Sequence, residues 1–142
     1  MDGDDMNYLN RCFMGGLLGV LANSVAILLA AMLGIMAFFS VAMNPQLTPE
    51  WLYPRLVWGG IWGLLFLLPW LRRWPFFWAA LIASLGPTLV QLFIVFPFKA
   101  EQGIAGVKLG AMMPVFVVLF NFIWALAALA YIRRCGSVKV AS

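Results

Sequence analysis

Cutting the chain at its charged side chains leaves four long uncharged stretches, 12–49, 56–71, 74–98 and 109–132. A bilayer core about 30 Å thick is crossed by about 20 apolar residues rising 1.5 Å each. The stretches therefore predict four membrane helices near 13–41, 52–71, 74–97 and 109–133. The second is tight, with about 16 residues between Arg55 and Arg72, so Trp51 and Tyr53 are expected to carry it into the interface. Arg72-Arg73-Trp74-Pro75 is so short a connection that spans two and three must form an antiparallel hairpin. Pro45 and Pro49 predict an irregular loop after span one, with Thr48 placed to cap span two. The stretch from Pro97 to Gly110 reads as a surface connector.

Composition turns this pattern into a class. A chain of 142 residues that is 65% hydrophobic and 10% charged, with mean hydropathy +0.99, could not hide its apolar surface as a soluble domain. The expected fold is all-α: an integral membrane four-helix bundle, one transmembrane domain over 1–142. With no histidine in the chain, His-ligated haem, His-bound zinc and His-based catalytic pairs are excluded by inventory. Cys12 and Cys135 form no CxxC pair, and the methionine pairs Met32/Met36 and Met112/Met113 lack Cys or His beside them, so no metal is expected.

The net charge of +4 sits beside the apolar runs, where it orients helices and meets lipid headgroups, so nucleic acid is not an expected partner. With both termini inside, Arg11, Arg72, Arg73, Arg133, Arg134 and Lys139 are cytoplasmic and Arg55, Lys99 and Lys108 are not. The excess predicts N-in/C-in. The acidic start, Asp2, Asp4 and Asp5, reads as a solvated cap before a retained first helix, and the localisation expected is a bacterial inner membrane.

In lipid, small residues that let backbones approach are the informative letters. Span one carries Gly15 and Gly19, then Ala22, Ala26, Ala30 and Gly34; span two carries Gly59 and Gly63. These are expected to be helix-packing seams. Displacing the chain by 62 residues puts Ile61, Trp62, Leu64, Leu67 and Arg72 on Ile123, Trp124, Leu126, Leu129 and Arg134, which would make the bundle two related hairpins.

No Asp, Glu, Lys or Arg is expected deep inside a span. The polar residues left there are Asn23 and Ser24 in span one, Ser84, Thr88 and Gln91 around Pro87 in span three, and Asn121 in span four. Asn23, Pro87 and Asn121 lie at similar depth, with Gly60 level with them, and are expected to meet in one polar layer. Pro87 frees the carbonyl of Ala83, for which the amide of Asn23 or Asn121 is the expected donor. Trp58, Trp62 and Trp124 fall within spans two and four and either fill the bundle or flank a bound lipid, quinone or pigment; no cofactor is otherwise called for.

The function expected from these residues is non-enzymatic: a structural or accessory subunit that packs against itself or other membrane subunits. The alternative is a small dimeric channel or carrier for a neutral or anionic solute through Asn23, Gln91 and Asn121. A lipid-modifying enzyme would have only Glu50, Arg55, Lys99 and Glu101 as outer polar reagents, at spacings that match no catalytic motif.

Overall fold

The computed structural model describes residues 2–138, and among them all regular structure is helical. Lys139, counted above for orientation, lies outside the described residues. Helix α1 runs Gly3–Met32, 30 residues or about 45 Å. It starts well before residue 13, so the acidic segment is its first turn, where Asp4 and Asp5 complement the helix dipole.

α1 also ends earlier than the apolar run. Gly34 takes a left-handed φ of 75°, and the N–H groups of Leu33 and Gly34 close onto Leu29 and Ala31. That is a helix stop which glycine adopts without a Cβ penalty. Gly34 is thus a cap with open space around it rather than part of a seam, and the span expected over 13–41 is broken before the single turn α2, Ile35–Phe38.

Thr48 caps α3, Pro49–Gly63, its hydroxyl accepting from the Trp51 N–H at 3.3 Å. α3 then tightens into a 3-10 turn, Leu64–Leu67. Leu68 is extended (ψ 124°), the conformation favoured before proline, and Pro69 restarts the chain as α4, Pro69–Arg73. The stretch 52–71 is therefore not one α-helix. The 62-residue similarity does not extend to the backbone either: α3 gives way at Leu64, whereas the corresponding Leu126 lies inside an unbroken helix.

α5, Phe76–Val90, passes into a π-helical segment, Gln91–Lys99. The last helix, α6, spans Met113–Val138. It begins later than residue 109 because Gly103, Ala105, Gly106 and Gly110 all take positive φ and keep the connection turning. Among the described residues three helical stretches are long and apolar enough to cross a membrane: Gly3–Met32, Phe76–Lys99 and Met113–Gly136.

α1 is the hub, packed on α6 along one side and α3 along another, while α6 also carries α5. The α1–α3 approach is close. A Cβ on Gly16 would run into the carbonyl oxygen of Gly59, and one on Gly63 into that of Cys12. On the other side, Gly15 lies against Ile132 and Ala128, Gly19 lies under the Trp124 ring, and Trp124 Nε1 donates to the Gly16 carbonyl at 3.1 Å. Ala30 is buried in a core with Ile27, Met36 and Phe120, Ala26 packs against that core, and Ala22 is half-buried.

Cys12 is fully buried here and Cys135 is partly exposed. Intact-mass analysis after brief maleimide treatment in mild detergent should show one adduct on the folded chain and two after denaturation. Two rapid adducts on the folded chain would contradict this packing.

Candidate polar site within the helix bundle

Thr48 and Pro49 set the start of α3, which puts Arg55 in its second turn and one turn after Trp51, on the same side of the helix. From there the side chain reaches α1. Its Nε lies 3.4 Å from the Ser24 hydroxyl, another guanidinium nitrogen donates to the Asn23 amide oxygen, and Cζ stands 4.5 Å from the centroid of the Trp51 ring. All of these partners are neutral. Asn23, only 5% exposed, uses its other end as well, Nδ2 donating to the Phe120 carbonyl at 2.6 Å. One amide thus joins α1, α3 and α6.

A second group joins α5 and α6. The Thr88 hydroxyl donates to the Ser84 carbonyl and the Ser84 hydroxyl to the Leu81 carbonyl, both at 2.7 Å. Asn121 Nδ2 then donates to Thr88 Oγ1 at 3.1 Å. Bonding of Ser and Thr back to their own helix is a common way to satisfy a hydroxyl in an apolar setting.

These contacts redraw the expected layer. Asn23 and Asn121 serve Phe120 and Thr88, not the carbonyl of Ala83 freed by Pro87, because the hydroxyls of α5 turn inward along their own helix and present Thr88 Oγ1 as an acceptor. Gln91, half-buried at the head of the π segment, is joined to neither group among the described residues. Gly60 is not level with Asn23; it packs on the Phe13 ring, and the residue of α3 at that level is Arg55. The expectation that no ionisable side chain enters the polar layer is therefore corrected. Trp58 is 55% exposed and faces outward, while Trp62 is half-buried and Trp124 is buried.

The signal for Arg55 was present in the residues. A capped helix starting at Pro49 places it about 9 Å along the axis, at the reach of a long side chain to a facing Asn. Chemically, the arrangement is a hydrogen-bonded clamp, with a cation held by neutral acceptors and an aromatic face. The chain matches no family model, no curated protein and no solved structure.

Proposed function

We propose that this chain is a non-enzymatic, four-helix membrane protein of a bacterial inner membrane, with both termini cytoplasmic. In this reading it works as a structural or accessory subunit, packing in the bilayer against copies of itself or a larger membrane complex. The fourth span would be α3 with its 3-10 turn: 15 residues rising 1.5 Å and four rising about 2 Å reach about 30 Å, the thickness of the hydrocarbon core. The orientation is supported by Arg11, Arg72 and Arg133 gathering at one end of the molecule.

The observation that carries the reading is the Asn23 clamp. It ties three helices together by hydrogen bonds to Phe120 and Arg55, so the polar groups serve the mutual position of the helices. A buried polar network whose members are satisfied rigidifies a structure, which is what a scaffold requires. Flux through Asn23 and Asn121 would need those amides released from partners they hold, so the channel or carrier draws no support from this geometry.

The test is extraction in polymer nanodiscs with native lipid, followed by native mass spectrometry and an absorbance spectrum. The expected result is a species heavier than one chain, either a homo-oligomer or a complex with other membrane subunits. A strictly monomeric, partner-free particle would overturn the proposal.

A further inference from the structure

Arg11 from α1, Arg72 from α4 and Arg133 from α6 line one cavity of about 500 Å³ at the end of the bundle where α1 begins. Tyr8 organises it. Its hydroxyl donates to the Phe66 carbonyl at 2.9 Å, and its ring holds two cations, Arg72 Cζ at 4.0 Å and Arg11 Cζ at 5.2 Å from the centroid. A ring face attracts one guanidinium modestly, but two beside the same ring repel each other unless an anion lies with them. Arg11 Nε is buried and has no hydrogen-bond acceptor. A buried donor left without a partner is costly, so the Arg11 guanidinium gains when an acceptor reaches it.

Asp4 and Asp5 also line the cavity, so its arginines outnumber its carboxylates three to two. The oxygens of a phosphate ester match the forked donors of guanidinium. The floor is apolar, formed by Phe66, Leu71, Leu129 and Ile132. It suits the carbon skeleton that a phosphate ester carries.

We infer that this cavity binds a phosphate-bearing group, held by Arg11 and Arg72 on either side of Tyr8. The group is the headgroup of a membrane lipid or a free phosphate ester. The inference is independent of whether the chain has a partner subunit.

Two probes and three variants test it. Phosphatidylglycerol is titrated into the delipidated full chain in maltoside micelles and retention is read by native mass spectrometry. Glycerol 3-phosphate is added to the same micelles and the shift in melting temperature is read. Arg72 is exposed, so Arg72→Gln should leave the fold intact; Arg73→Gln removes the same charge one residue away, outside the cavity lining. Loss of a charged hydrogen-bonding partner should weaken retention about tenfold in Arg72→Gln. Arg73→Gln should retain lipid like the parent, and Arg11→Gln should match Arg72→Gln wherever it folds. Lipid binding alone identifies the headgroup as the source, and a shift with glycerol 3-phosphate shows that a free ester suffices. Binding of neither probe, or equal weakening by Arg72→Gln and Arg73→Gln, would overturn the assignment.

Discussion

Gly16→Ala should be among the most damaging single-methyl additions available in this chain. The new Cβ would meet the carbonyl oxygen of Gly59, which is backbone and cannot swing aside as a side chain can. α1 and α3 would have to separate, loosening the Gly63–Cys12 approach and pulling Arg55 from Asn23 and Ser24. Overpacking typically costs about 1–3 kcal/mol, and a clash with unyielding backbone belongs at the upper end. Gly3→Ala supplies the control, because a Cβ there meets nothing within 4 Å. Unfolding in mixed SDS and maltoside micelles, followed by far-UV circular dichroism, should show a large shift for Gly16→Ala and no loss for Gly3→Ala. Equal stability of the two would mean that the α1–α3 seam is not as close as described.

The second large effect concerns the clamp. Asn23→Leu removes the acceptor facing the guanidinium and the donor to Phe120 together, leaving Arg55 with Ser24 and the Trp51 ring. Stranding a cation in an apolar interior costs about 3 kcal/mol. Arg55→Met is expected to be milder, about 1 kcal/mol, because Asn23 keeps its bond to Phe120 and no charge is stranded. The double variant should then be more stable than Asn23→Leu alone, with a coupling of about 2 kcal/mol between the sites. Additive losses, or a neutral Asn23→Leu, would remove Arg55 from the clamp.

Membrane class and helical content were legible because they follow from the length and continuity of apolar runs, and Thr48 could be read as a cap from its place before Pro49 and Glu50. The breaks were harder. Gly34 sits in series with Ala22, Ala26 and Ala30, and only its left-handed φ distinguishes a stop from a packing step. The 3-10 turn before Pro69 has no marker beyond that proline in an otherwise uniform run, Leu64–Leu68. Asn23, Thr88 and Asn121 could be named as polar membrane residues, but which atoms they pair with depends on helix rotation and register. Those are set by glycine contacts between distant segments, as between Gly16 and Gly59. The place of Arg55 within α3 follows from the Thr48 cap, but its pairing with Asn23 depends on how α3 lies against α1.

The contact between the first and last helices also has a temporal consequence. The bond from Trp124 to the Gly16 carbonyl joins residues 108 positions apart. At about 5–20 residues per second, the ribosome would add the intervening chain in roughly 5–20 s. During that interval the glycine groove of α1 has no α6 to fill it, and the amide of Asn23 lacks the Phe120 carbonyl it will hold. Newborn chains therefore pass through a stage in which their first helix presents an open groove and an unmet polar group to the surrounding bilayer, and their exposure to insertion factors and membrane proteases is set by how quickly synthesis reaches α6.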